Sequence, residues 1–193
     1  MEKISSWQGF RWPEYYSVLN TFSTARKVSL SLSFAFLTAL SAQIYIRFPF
    51  TPVPFTGQVF TVLLAGVILG RKFGSLSQLF YLAGGAAGIN WFAAGGAGFM
   101  RPTTGYIAGF ILAVYLIGFF AENAGSRKKL FAGMFFGILL IHLSGVLWLS
   151  SYMRIPFYRA FTLGSLPFLP FDAIKALIAG HISGKISQSG DKI

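Results

Sequence analysis

Five carboxylates occur in 193 residues, and Asp172 alone among them falls inside an apolar stretch long enough to be a membrane span. Lys175 follows three positions later, and residues i and i+3 share one face of a helix. An acid and a base are therefore presented together. An ionised carboxylate in hydrocarbon costs roughly 3 kcal/mol on insertion scales unless it finds a partner. A pair that only cancels itself is replaceable by apolar residues, so its presence points to a solute, with a structural ion pair as the alternative. Arg101, in the segment Phe99-Met100-Arg101-Pro102-Thr103-Thr104-Gly105-Tyr106, adds a second positive group. Its fork suits a carboxylate; the competing use is snorkelling to lipid phosphates. Thr51, Thr56, Gln58 and Asn90 are neutral groups that either hydrogen-bond a solute or cap helices.

Other chemistries lack their residues. The chain has no Cys, which removes disulfides and thiolate metal sites. Its two histidines, His142 and His181, have no second ligand at metal spacing and read as buried or interfacial side chains. No G-x-x-x-x-G-K-[ST] loop is present for ATP. No Ser-His-Asp set or H-E-x-x-H helix supports an enzyme, and no series of acids crosses the apolar spans for proton or sodium coupling. The expectation is a protein without catalytic or metal residues, which binds a solute and takes its energy from elsewhere.

These side chains must be held by membrane helices. The composition is 54% hydrophobic and 11% charged, against about 25% charged in soluble domains. The net charge of +11 is spread in short groups between apolar runs, which is how membrane topology is written, and argues against nucleic acid as partner. A spanning helix needs about 20 mostly apolar residues. The pattern predicts an all-α bundle of six spans over residues 28–46, 58–70, 73–92, 104–121, 130–153 and 167–184. Alternate connections hold eleven Lys/Arg (Lys3, Arg11, Arg26, Lys27, Arg71, Lys72, Arg127, Lys128, Lys129, Lys185, Lys192), and the opposite side holds four (Arg47, Arg101, Arg154, Arg159). That asymmetry places both termini in the cytoplasm and demands an even number of spans. Residues 1–27, with Trp7, Phe10, Trp12, Tyr15, Tyr16 and Phe22 among bases, read as an interfacial segment rather than a cleaved signal, either a short amphipathic helix or a tail. Residues 28–186 form the membrane domain and 187–193 a cytoplasmic tail.

The outer side carries the irregular backbone. Pro49, Pro52 and Pro54 cannot continue a helix, Pro167 and Pro170 open the sixth span, and glycines crowd residues 84–98. Pro/Gly-interrupted spans are a pointer to a solute site. Ser31, Ala35 and Ala39 form a small-residue stripe on the first span, which lets a second helix approach closely, either from this chain or from another subunit.

Together these residues resemble the BioY family, the biotin-binding S components of energy-coupling-factor transporters. The resemblance covers about residues 28–186. It is carried by Ala39-Leu40-Ser41-Ala42-Gln43-Ile44 with Pro52-Val53-Pro54-Phe55-Thr56-Gly57-Gln58, and by Leu63-Leu64-Ala65-Gly66. Further along it rests on Tyr81-Leu82 with Gly85-Ala86-Ala87-Gly88, on Pro102-Thr103-Thr104-Gly105-Tyr106, and on Leu166-Pro167 through Phe171-Asp172-Ala173-Ile174-Lys175-Ala176. The resemblance implies a six-helix S component in a bacterial plasma membrane that takes biotin from outside. It implies a complex with a transmembrane coupling subunit and two ATPase subunits, the only users of ATP, with no cofactor on this chain. It implies a biotin site containing Asp172, Lys175 and Thr56, to which Arg101, Gly88, Asn90 and Tyr106 are added, and contact of Ser31, Ala35 and Ala39 with the coupling subunit. The chain departs from the family pattern at Thr104, where Gly is usual, and at Asn90, where Pro is frequent. The competing expectations are an S component for another small anionic vitamin, or a membrane scaffold or enzyme without transport.

Overall fold

The structure, a computed structural model, describes residues 12–189. Its elements are α1 (Trp12–Thr21), α2 (Thr24–Gln43), a two-stranded hairpin of β1 (Tyr45–Ile46) and β2 (Phe55–Thr56), α3 (Gln58–Ala86), a 3-10 turn (Ala93–Gly95), α4 (Thr104–Glu122), α5 (Arg127–Met153), α6 (Phe157–Gly164) and α7 (Leu169–Ser189). Helices α3, α4 and α5 are each long and apolar enough to cross a membrane, and α6 with α7 passes the same test as a pair bent by 53°. Side chains such as Phe36, Leu112, Phe135 and Leu177 stand exposed around the bundle, as expected where lipid is the solvent.

Helix α3 is two spans joined without a loop. Gly70, at φ 73° and ψ −178°, breaks it in a region of backbone space that essentially only glycine occupies. The limbs, residues 58–69 and 71–86, run antiparallel: Gln58 Nε2 donates to Tyr81 Oη at 2.8 Å, and a side chain on Gly74 would meet Ala65 O at 2.8 Å. Counting both limbs with α2, α4, α5 and α7 gives six spans, as the charge pattern requires.

Each free helix end at Gly70 is satisfied from elsewhere, as buried backbone groups must be. Glu122 Oε1 accepts from Arg71 N at 2.8 Å, while its Oε2 pairs with Arg71 Nε at 3.1 Å. Tyr15 Oη donates to Ile68 O at 3.1 Å, and Tyr16 Oη donates to Val67 O. Helix α1 is thus a packed helix, with Trp12 fully buried, and not a tail. Burial pushes the Tyr15 hydroxyl up to about 12, so it stays a donor across the physiological range. The remaining aromatic and basic residues expected at this interface, Lys3, Trp7, Phe10 and Arg11, lie outside the described residues, as does Lys192.

Helix starts follow their caps. Ser23 Oγ accepts from Arg26 N at 3.3 Å, and Ser126 Oγ accepts from Lys129 N at 3.4 Å. Pro170 sits in the first turn of α7, where a missing N–H costs nothing. Helices α2, α3, α4 and α5 pack in sequence order, α6 packs on α5, and α7 returns against α3 and α5.

Three boundaries differ from the sequence reading. Span one stops at Gln43 because Tyr45 and Ile46 pair with Thr56 and Phe55. Span three stops at Ala86, closed by Gly88 at φ 105° with Ile89 N donating to Gly84 O at 3.0 Å and Gly88 N to Gly85 O at 3.2 Å, a Schellman closure. Helix α6 has no counterpart in the predicted spans.

The small-residue stripe of α2 faces the chain's own bundle. Ser31, Ala35 and Ala39 are all buried within the chain, and Ser31 Oγ donates to Phe73 O at 2.8 Å. Close approach is used here by the chain's own second limb of α3. The outward face of α2 carries Leu32, Phe36 and Leu40 instead.

Candidate solute-binding site

The hairpin β1–β2, the first turn of α3, the start of α4, the middle of α5 and the start of α7 enclose a cavity with about 510 Å³ of free space, its open mouth included. The cavity is at the end of the bundle opposite the Gly70 turn and the basic pairs Arg26–Lys27 and Arg71–Lys72. Its walls are mainly apolar, with Val53, Phe55, Ile107, Phe110 and Phe168 among them, and its polar groups converge from Thr56, Gln58, His142, Asp172 and Lys175.

Asp172 is the centre of that convergence. It stands in the first turn of α7, where the positive end of the helix dipole favours a carboxylate, and it is 2% exposed. Its Oδ1 accepts from Lys175 Nζ at 2.7 Å. Lys175 Nζ also donates to Thr56 O at 2.8 Å and stands 4.2 Å from the centre of the Phe55 ring, close enough for a cation–π contact. Thr56 enters the site through its carbonyl, while its hydroxyl donates to Gln58 Oε1 at 3.0 Å. Tyr106 lines the wall, fixed by donation from its Oη to Gly164 O at 2.8 Å.

The structure therefore brings together Asp172, Lys175, Thr56 and Tyr106. Arg101 stands in an adjoining outer recess that shares Pro54 and Thr103 with the cavity. Its Nε is buried without a hydrogen-bond partner among the described residues. Gly88 and Asn90 are exposed and do not line the cavity, which corrects their expected place in it. Gly88 serves the end of α3, and Asn90 follows on an exposed turn before Trp91, whose Nε1 donates back to Tyr81 O at 2.9 Å.

His142 belongs to the site although its sequence context marked it only as a buried side chain. Its Nε2 lies 3.1 Å from Asp172 Oδ2 and its Nδ1 2.9 Å from Ser165 Oγ. The partners are 30 and 23 residues away, on elements whose packing no local pattern reveals. The identity of Gln58 as a wall residue had a weaker signal, its place directly after the proline-rich turn. Among the described residues no group of three or more His, Cys, Asp or Glu is arranged to hold a metal ion. A larger recess of about 1,300 Å³ between α4, α5 and α6 is lined by Leu116, Phe120, Phe136 and similar residues, with His142 its single polar side chain. It lacks the polar groups that orient a solute.

Six spans around a mainly apolar cavity, with one acid–base pair buried in its wall, define a multi-pass membrane protein. The chain belongs to the BioY family, whose pattern matches residues 15–192. It is 41% identical over 165 residues to a probable biotin transporter BioY of Pyrococcus horikoshii, covering 84% of this chain and 96% of the relative. It is 38% identical over 147 residues to the biotin transporter BioY of Thermotoga maritima, covering 75% and 86%. The fold matches a crystal structure of the S-component for biotin from an ECF-type ABC transporter, with TM-score 0.78 and 24% identity over 86% of this chain and 94% of that one.

Proposed function

We propose that this chain is the substrate-specific subunit of an energy-coupling-factor transporter and captures biotin from the outer side of the plasma membrane. The observation that carries the reading is the Asp172–Lys175 pair, buried in the wall of a mainly apolar cavity in a chain of this family. Biotin presents a cyclic urea with two N–H donors and one acceptor, an apolar bicyclic body and a carboxylate. Asp172 accepts from one of the two urea N–H groups, which diverge on either side of the C=O, and Lys175 donates toward the adjacent urea oxygen. Phe55, Phe110 and Phe168 enclose the body. The carboxylate meets Arg101, whose guanidinium has no acid partner among the described residues, whereas Lys175 is already matched by Asp172 and Thr56. The sequence carries no P-loop motif for ATP. A transmembrane coupling subunit and two ATPase subunits supply the energy, and both termini of this chain face the cytoplasm with the basic connections.

The test is titration of the purified full chain with biotin and with biotin methyl ester. Biotin binds and raises the melting temperature; at free ligand near 100 Kd the stabilisation is about 2.7 kcal/mol. Arg101→Ala weakens biotin by about tenfold or more, since a hydrogen bond to a charged group is worth about 1.5–3 kcal/mol, and leaves the methyl ester unchanged. An unaltered chain that binds neither compound removes the proposal.

A further inference from the structure

Asp172 has two anchors, and the second is not on its own helix. Lys175 holds Oδ1 from the next turn of α7. His142, in the middle of α5, holds Oδ2. An ionised carboxylate only accepts, so the proton of this contact is on His142 Nε2, and in the neutral ring Nδ1 then accepts from the Ser165 hydroxyl. The ring is 6% exposed and meets the Tyr106 ring edge-on at 6.3 Å and 88°. Its direction is thus fixed on three sides, by Ser165 from the α6–α7 turn, Tyr106 from α4 and its own helix.

The torsion that turns a carboxylate plane is broad and roughly two-fold. One anchor on Oδ1 leaves that plane free to swing about the Lys175 contact. A second anchor on Oδ2 removes the swing and sets the direction of the lone pairs left over for a ligand. We infer that His142 is a positioning residue for solute binding: it locks the Asp172 carboxylate plane so that its remaining lone pairs meet an N–H donor of the solute. This rests on the reading of the site as a biotin site. The histidine acts through Asp172, and its tie to Ser165 serves to aim the ring.

Two amides divide the two functions of the ring. In His142→Gln the side-chain nitrogen reaches about where Nε2 stands and keeps the Asp172 contact. In His142→Asn it reaches about where Nδ1 stands and keeps only the Ser165 contact. The experiment measures biotin affinity of the full chain in lipid nanodiscs for the unaltered protein, both amides, His142→Leu, Asp172→Asn and the double variant His142→Leu/Asp172→Asn. The ligand-free melting temperature of each is recorded alongside. His142→Gln stays within about threefold of the unaltered chain, and His142→Asn and His142→Leu lose about tenfold or more. In the Asp172→Asn background the leucine substitution produces no further loss, the non-additivity expected when one residue acts through another. Equal losses in His142→Gln and His142→Asn overturn the inference while leaving the biotin reading intact, and so does a full further loss in the Asp172→Asn background. If His142→Leu does not fold or Asp172→Asn binding is immeasurable, the glutamine–asparagine comparison decides alone. Failure of the unaltered chain to bind biotin overturns the site reading and this inference with it.

Discussion

Asp172 and Lys175 are coupled so tightly that removing either one has two effects. Lys175→Ala leaves a carboxylate that is 2% exposed with only His142 beside it, and breaking a buried pair from one side costs about 3–5 kcal/mol. A loss of binding in that variant is therefore mixed with a loss of fold. The informative change is the paired one, Asp172→Asn with Lys175→Met, because replacing both partners by groups of similar volume is close to neutral for stability. The expected outcome is a ligand-free melting temperature near that of the unaltered chain together with at least about a hundredfold weaker biotin binding, from two lost charge-assisted contacts. Thermal unfolding and titration on the same sample check it. At this scale the sequence was informative where partners are local. Spacing of three on a helix made the acid and base visible as a unit, whereas His142, Gln58 and Ser165 join them only through packing between distant segments.

The corner at Gly70 is where helix geometry becomes topology. Two spans meet without connecting residues, which the charge pair Arg71–Lys72 marked as a boundary in the sequence. What the sequence left hidden was how the corner is closed, because Tyr15, Tyr16 and Glu122 reach its backbone across 51 to 53 residues. Gly70→Ala tests the corner. A side chain at that φ and ψ costs about 1–3 kcal/mol of strain, and its Cβ would lie 2.5 Å from Glu122 Oε1. A lower melting temperature is expected, with biotin affinity little changed because the cavity is at the other end of the bundle. Gly145→Ala has the reverse signature. Its Cβ would come within 2.2 Å of the Tyr106 ring, so the wall of the cavity must move and affinity must fall by about tenfold or more. Melting scans with and without biotin distinguish the two variants.

Charge asymmetry predicts the orientation of the whole molecule, and the absence of Cys makes that orientation directly testable. The connection holding Ser126 carries Arg127, Lys128 and Lys129, and the opposite end holds the proline-rich hairpin with Thr51. In intact cells a membrane-impermeant thiol reagent is expected to modify Thr51→Cys and to spare Ser126→Cys until the membrane is opened. The reverse pattern would invert the protein and place the cavity mouth inside. At this scale the span number was legible, since it follows from hydropathy, while the sidedness expected from Lys/Arg counts is what the labelling tests. The α2 stripe packs within this chain, and the sequence left open whether a neighbouring subunit meets it. Small residues advertise a close helix neighbour, but not which chain supplies it.

The first limb of α3, residues 58–69, rises only about 18 Å, at roughly 1.5 Å per residue. A typical hydrocarbon layer is about 30 Å deep. If the Gly70 corner lies at one face of that layer, a solute resting beside Gln58 would sit below the opposite rim, with about 18 Å rather than about 30 Å of barrier beneath it.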